Sequence, residues 1–302
     1  MPQILVVGSL NADLVVRAPR FPQPGETISG DDLQVIPGGK GANQAVAAAR
    51  LGSKVSMLGR VGKDNFGDFL LDNLGSNKVD SQFVKRDDAS TGTAIIVVDS
   101  NGQNSIVLSA GANGKVSAAD VENASFLNHD LLLLQLEIPI PTVLGAAQRA
   151  KENNLQVILN PAPAQKVSDE LVGLADFIIP NESELSLLTN MDVKDISSAE
   201  QASRVLLERG AKNVIVTLGD KGALIVNRDQ VTHVDTFEVH VVDTTAAGDA
   251  FIGGFSTALL QNVSLEESVR YGCACGALAT SKFGAQPSLP GKEEVERLIS
   301  RS

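Results

Sequence analysis

Along the chain, short and nearly continuous apolar runs alternate with longer stretches in which apolar residues recur every three or four positions. The runs are Ile4–Val7, Val55–Leu58, Leu131–Leu134, Val157–Leu159, Phe177–Ile179, Val214–Thr217 and Ala223–Val226. Runs this short, without alternation, read as strands buried on both faces. Helical spacing is expected near 64–76, 140–153, 182–189 and 198–209. A last helix to about Ser281 opens on Ser264-Leu265-Glu266-Glu267, a capping-box pattern. Strand then helix, repeated without internal repeat or low-complexity linker, predicts an α/β fold with a central, mostly parallel sheet flanked by helices. Residues 1–302 are therefore expected to form a single domain.

Two stretches break the pattern. From Leu14 to Ile36 the chain has β-prone pieces interrupted by Pro19, Pro22, Pro24 and Gly25, and Thr93–Val98 and Ser105–Leu108 flank Asn101-Gly102, a hairpin signal. These insertions, at about 12–36 and 92–112, predict a small β-sheet standing over the main body as a lid that excludes water.

The richest chemistry sits at Asp243-Thr244-Thr245-Ala246-Ala247-Gly248-Asp249-Ala250-Phe251. Val239, Val241 and Val242 before it read as the end of a strand, and Phe251, Phe255, Ala258 and Leu259 after it as a helix face. The small residues Ala246, Ala247 and Gly248 leave backbone N–H groups uncovered at the positive end of that helix, where an anion binds. Asp249 stands among those donors, placed to take a proton from a hydroxyl that attacks a bound phosphoryl group. A carboxylate that only complements the helix dipole is the competing account.

Further polar groups follow strand ends, where ligands gather in open α/β sheets. Asn11 and Asp13, in Gly8-Ser9-Leu10-Asn11-Ala12-Asp13, suit a polyhydroxylated substrate, and equally an Asx turn. Pro37-Gly38-Gly39-Lys40-Gly41-Ala42-Asn43-Gln44 lacks the Gly-x-x-x-x-Gly-Lys-Ser/Thr spacing of a phosphate loop, and no Gly-x-Gly-x-x-Gly follows the first strand. Its glycines permit close approach of a small ligand, or simply a tight turn. Glu137, Asn160, Asn181 with Glu184, and Thr217 fall at the same edge. Asn181-Glu182-Ser183-Glu184 is also a helix capping box, whereas a functional Glu184 would help hold a Mg²⁺ carried by nucleotide phosphates. Thr217-Leu218-Gly219-Asp220-Lys221-Gly222 reads as a nucleotide-contacting turn or as a plain hairpin turn. Carbonyls in the loop Lys282-Phe283-Gly284-Ala285-Gln286-Pro287-Ser288 offer oxygen ligands for a large monovalent cation beside Asp243 and Thr245.

Composition narrows the classes. The formal charge of −11, with no basic cluster, argues against nucleic-acid binding. A negative body binds polyphosphate through local N–H groups and a divalent metal. Cys273 and Cys275, two apart on an expected helix, cannot easily bridge, which implies a reducing compartment. His129, His233 and His240 have no metal-ligand spacing. No signal peptide or membrane-length apolar stretch is visible, so a cytoplasmic location away from membranes is expected.

Taken together, Gly8–Asp13, Pro24-Gly25-Glu26-Thr27, Gly38–Ala45, Asn181-x-x-Glu184, Asp243–Asp249 and Gly284–Ser288 resemble the ribokinase family of carbohydrate kinases over essentially the whole chain. The resemblance implies transfer of the γ-phosphoryl of ATP to O5 of D-ribose, with Mg²⁺ and an activating K⁺, in a homodimer joined through the lid. By matching position, Asp249 would be the general base and the N–H groups of Ala246, Ala247 and Gly248 the anion hole. Asn11, Ala12, Asp13, Gly39, Lys40, Gly41, Ala42, Asn43, Glu137 and Asp249 would surround the sugar. Asn181, Glu184, Thr217, Leu218, Gly219, Asp220, Lys221, Gly222, Gly248, Asp249 and Cys273 would serve the nucleotide and its Mg²⁺. Asp243, Thr245, Ala279, Lys282, Gly284 and Ser288 would form the K⁺ site, mostly through backbone oxygens. Ala246 departs from the glycine common in that family. The alternatives are a kinase for another sugar or nucleoside, and a sugar-binding regulator without catalysis.

Overall fold

The computed structural model describes residues 3–100 and 102–301. Its strands are β1 (Gln3–Val7), β2 (Asn11–Arg17), β3 (Gln34–Gly38), β4 (Lys54–Gly62), β5 (Val79–Asp87), β6 (Gly92–Val98), β7 (Asn104–Ser109), β8 (Leu131–Leu134), β9 (Gln156–Leu159), β10 (Phe177–Ile178), β11 (Asn213–Thr217), β12 (Ala223–Asn227) and β13 (Val231–Val234). Nine of them form one sheet in the order β13-β12-β11-β10-β9-β8-β1-β4-β5, with every pairing parallel except β11–β12 and β12–β13, because β12 runs against the rest. Ile4, Leu5, Val6 and Val7 at its centre are fully buried, because helices cover both faces. One face packs on helices Lys40–Arg50, Ala247–Leu259 and Leu265–Thr280, the other on Ile140–Glu152 and Ile196–Glu208. The expected helices are all present within two residues or so of the spacing-based bounds.

β2, β3, β6 and β7 form a separate four-stranded sheet in the order β3-β2-β6-β7. Asn101 of the anticipated hairpin lies outside the described residues; Gly102 beside it has φ 77°. Strand alternation gives this small sheet two unlike faces. Asn11, Asp13 and Val15 share one face with Ile36, Ala94 and Ile96, and this face turns towards the body, where Val15, Ile36, Ala94 and Ile96 pack beside Phe283. On the other face Val35, Leu14, Ile95 and Val107 lie side by side in register, and Val107 is 63% exposed.

Three expectations change. The segment Val239–Val242 is not a strand: Val241 and Val242 are exposed, and the N–H groups of Val242 and Asp243 donate to the Thr280 carbonyl (2.7 and 3.0 Å) rather than to a ladder. Asn11 and Asp13 belong to β2, not to a loop after β1. The edge strand β5, Val79-Asp80-Ser81-Gln82-Phe83-Val84-Lys85-Arg86-Asp87, and the edge strand β13 escaped the pattern, since charged or polar side chains at a sheet edge hide the apolar signal.

Candidate active site

The carboxyl ends of β1, β8, β9, β10 and β11 point to one edge, and the polar residues that follow them meet there. Ser9 Oγ donates to Glu137 Oε2 at 2.5 Å, and the Lys40 N–H donates to the same oxygen at 3.1 Å. Asn11 Nδ2 approaches Glu137 at 3.4 Å. The chain can fold this tightly because Gly39, at φ 87°, caps helix Lys40–Arg50 against the β1–β2 connection; a Cβ there would lie 2.7 Å from the Asn11 nitrogen. At Gly41 a Cβ would lie 2.6 Å from the Ser9 nitrogen. These two glycines serve approach of the chain to itself, which their sequence context did not distinguish from approach of a ligand. Ala12 and Ala42 are buried beside them.

Asn113, which no motif singled out, orients Asn11. Its Nδ2 donates to Asn11 Oδ1 (2.7 Å) and to the Leu10 carbonyl (3.0 Å), while its Oδ1 accepts the Leu10 N–H (2.9 Å). Asn11 therefore presents its NH₂ group, and Asp13 two residues on presents a carboxyl. Burial, reinforced by Glu137 and Asp249, pushes the Asp13 carboxyl up to about 7, against the pull of Lys40. Burial works against the Lys40 ammonium, but Asp249, Glu137, Glu184 and Asp13 together raise its pKa above the ordinary value. Lys40 is thus the cation in a cleft of four carboxyls.

Asp249 enters this cleft from the first turn of helix Ala247–Leu259 and is 5% exposed. Asn43 Nδ2 donates to its Oδ2 at 2.8 Å and Gln44 Nε2 to its Oδ1 at 3.0 Å. Burial raises its pKa, and Lys40 and these two amides oppose the rise. Among the described residues the N–H groups of Ala246, Gly248 and Asp249 have no partner, whereas that of Ala247 closes a turn onto the Thr244 carbonyl at 3.2 Å. A Cβ at Gly248 would meet nothing within 4 Å, and Gly248 borders open space in the neighbouring cavity. The expected ring of three amides is corrected in one member: Ala247 N–H is already engaged in the turn.

On the far side of Gly248 lies a cavity of about 900 Å³, lined by Asn181, Thr217, Gly219, Asp220, Gly222, Ala247, Gly248 and Cys273 among others. Its apolar part, with Phe251, Val239 and Ala277, suits a flat ring, and its Gly248 end adjoins the helix N-terminus. Leu218 and Lys221 do not line it. Leu218 is buried under the β11–β12 hairpin, and the exposed Lys221 offers its carbonyl to His233 Nε2 at 2.6 Å. Burial pushes the Cys273 thiol up to about 12, so it lines the wall as an inert group. Glu184 stands behind this wall. It completes the capping box with Asn181 (2.9 and 2.8 Å), burial raises its pKa, and its charge is felt at Lys40 and Asp249.

A second cavity, about 780 Å³, separates the inward face of the small sheet from residues 241–245 and 283–285. Asp243 pins its floor: Oδ1 accepts the Thr245 N–H and Oδ2 the Gly284 N–H, both at 2.9 Å. Ser288 Oγ donates to the Ala285 carbonyl at 2.8 Å, and Ala279 is buried. Lys282 turns its ammonium to Glu294 at 2.8 Å, so only its backbone remains for a ligand. Among the described residues no group of three or more His, Cys, Asp or Glu side chains could hold a metal, Cys273 and Cys275 are free, and no helix is long and apolar enough to cross a membrane.

Comparison with known proteins identifies relatives over nearly the whole chain. The model of the pfkB family of carbohydrate kinases matches residues 1–292. A ribokinase of Haemophilus influenzae is 44% identical over 302 residues, 99% of each chain, and a deoxyribokinase of Salmonella typhi is 40% identical over 98% of each. The structure of Arabidopsis thaliana ribokinase complexed with ribose and ATP superposes with a TM-score of 0.92 at 35% identity, covering 100% of this chain and 99% of that one. With a family model matching residues 1–292 and relatives of this identity over nearly the whole chain, the chain belongs to the pfkB family of carbohydrate kinases.

Proposed function

We propose that this chain is an ATP-dependent ribokinase, transferring the γ-phosphoryl of ATP to O5 of D-ribose to give D-ribose 5-phosphate and ADP. The observation that carries this reading is the position of Asp249, between the cleft of Asn11, Asp13, Asn43 and Glu137 and the cavity entered past Gly248. The sugar is held by donors from Asn11 and Lys40 and acceptors from Asp13 and Glu137. Asn43 Oδ1, buried with no partner among the described residues, fits a hydroxyl donor there. Asp249 takes the O5 proton as that oxygen attacks the γ-phosphorus, while the free N–H groups of Ala246 and Gly248 receive the charge developing on the phosphoryl oxygens. The small sheet closes over the sugar as a lid and removes water that would otherwise compete as acceptor.

Mg²⁺ would travel with ATP, offsetting phosphate charge. Buried Glu184, with Asn181, fits a cation that keeps most of its waters and needs few protein ligands. The oxygen-only set of Asp243, Thr245, Ala279, Lys282, Gly284 and Ser288 fits K⁺, which would hold the loop that supports the helix N-terminus. The outward row Val35, Leu14, Ile95 and Val107 fits a homodimer joined sheet to sheet through the lids.

A general base contributes about 10²- to 10⁴-fold, so Asp249→Asn is expected to lose turnover by that factor while binding ribose, as read by ADP release and by calorimetry. Ordinary turnover in this variant removes Asp249 from the mechanism. The same assay across ribose, deoxyribose, fructose and adenosine, with and without K⁺, tests the acceptor and the cation. The deoxyribokinase relative makes 2-deoxyribose the second reading, chosen if its kcat/KM exceeds that of ribose.

A further inference from the structure

Behind Asp249 lies a run of buried side-chain amides that this mechanism does not use. Gln44 and Gln135 are 0% exposed and Asn160 is 8% exposed. Gln44 Nε2 donates to Asp249 Oδ1 (3.0 Å) and to Asn160 Oδ1 (3.2 Å); Gln44 Oε1 accepts from Gln135 Nε2 (2.6 Å); Asn160 Nδ2 donates to the Ile179 carbonyl (3.0 Å). The polarity of this run is dictated from both ends. A main-chain carbonyl can only accept, which fixes Asn160, and an ionised carboxylate can only accept, which fixes Gln44.

We infer that Gln44 is a positioning residue for the base, held in its donating orientation by Gln135 and Asn160, so that Asp249 stays ionised with its free lone pairs aimed at the attacking hydroxyl. The inference rests on the reading of Asp249 as general base and adds how that base is kept ready. With Asn43 on one oxygen and Gln44 on the other, a proton on either would confront an N–H donor. Such donors oppose the rise that burial imposes on this carboxyl. The charged groups that also face Asp249 are Lys40 at the start of helix Lys40–Arg50, Glu137 after β8, Asp13 on β2 and Glu184 on helix Glu182–Thr189. Among the described residues none of them is a hydrogen-bond partner of the Gln44 side chain, so changing Gln44 leaves their contacts in place.

The test is the pH dependence of kcat. Gln44→Met, of matching length and without a donor, is expected to move the acid-side midpoint upward by about one pH unit, so that kcat falls about tenfold at pH values below both midpoints and by less above them. Gln44→Glu, which sets a like charge beside Asp249, moves it further up. Gln135→Met, which acts only through Gln44, moves it up by less. A packing role alone would lower the melting temperature and leave the midpoint where it is; that result, in a folded Gln44→Met, overturns the inference. Should the Gln44 variants not fold, Gln135→Met decides: a raised midpoint supports the relay and an unmoved one overturns it. Asp249→Asn separates the two levels. If it is inactive while the Gln44→Met midpoint is unmoved, positioning fails and the base stands; if it turns over normally, the base reading fails first.

Discussion

At the scale of single residues, the cleft is built from polar groups whose donor and acceptor roles are set by neighbours far away in the chain. Asn113 fixes the amide of Asn11 across 102 residues. Asn113→Leu removes both the donor to Asn11 and the clamp on Leu10, so KM for the sugar is expected to rise about tenfold while KM for ATP stays nearly constant. Steady-state kinetics on both substrates checks this, and equal effects on the two would contradict it. Asp13 gives a pH-dependent stability. Between about 4 and about 7 its carboxyl keeps its proton in the folded chain and has lost it in the unfolded one. Folding then takes up a proton, and stability falls as pH rises through that window. Asp13→Asn, free of this cost, is expected to raise the melting temperature of the ligand-free protein by about 3 °C or more at pH 8, and by less at pH 5. Thermal scans at the two pH values, with a gain at pH 5 equal to that at pH 8 as the contrary outcome, decide it.

At the scale of elements, two capping boxes foreseen from Asn181-x-x-Glu184 and Ser264-x-x-Glu267 are formed, because a cap is a contact over three residues and needs no tertiary partner. At Glu184 a cap and a charge felt in the cleft coincide. Its carboxyl accepts the Asn181 N–H and is also felt at Lys40 and Asp249. Glu184→Gln retains an oxygen for the cap but no charge, so the melting temperature should stay within about 2 °C while the Mg²⁺ concentration for half-maximal rate rises severalfold. A Mg²⁺ titration with parallel melting curves separates these, and an unchanged Mg²⁺ requirement would leave Glu184 a cap alone. The strand expected at Val239–Val242 failed for the converse reason. β-branched residues favour a pleated, half-buried surface, but strand formation needs a free edge, and these valines instead border both cavities.

At the scale of the molecule, the small sheet joins two distant parts of the chain and carries Asn11 and Asp13 on the side turned to the body and an apolar row on the other. Val35, Ile95 and Val107 of that row are exposed apolar side chains, the kind of surface that favours association. As a test of the proposed sheet-to-sheet dimer, Ile95→Lys combined with Val107→Lys is expected to leave only monomers in light scattering. A dimer unaffected by both charges would place the contact elsewhere.

The order of strands and helices was legible in the sequence because buried parallel strands and amphipathic helices write their periods locally. So were Asp249 and the helix N-terminus that carries it, since that junction is one short run of residues. What only the tertiary structure decided were the pairings across long separations: Gln44 with Asp249, 205 residues apart, Asn113 with Asn11, and the burial of Asp13 beside Glu137 and Asp249 that keeps it protonated. It also moved Leu218 and Lys221 out of the cavity wall, engaged the Ala247 amide, and showed Gly39 and Gly41 to be required by the approach of one backbone to another. Periodicity and caps arise from interactions a few residues long, whereas the polarity of an amide or the charge of a buried acid depends on which distant groups the fold brings beside it.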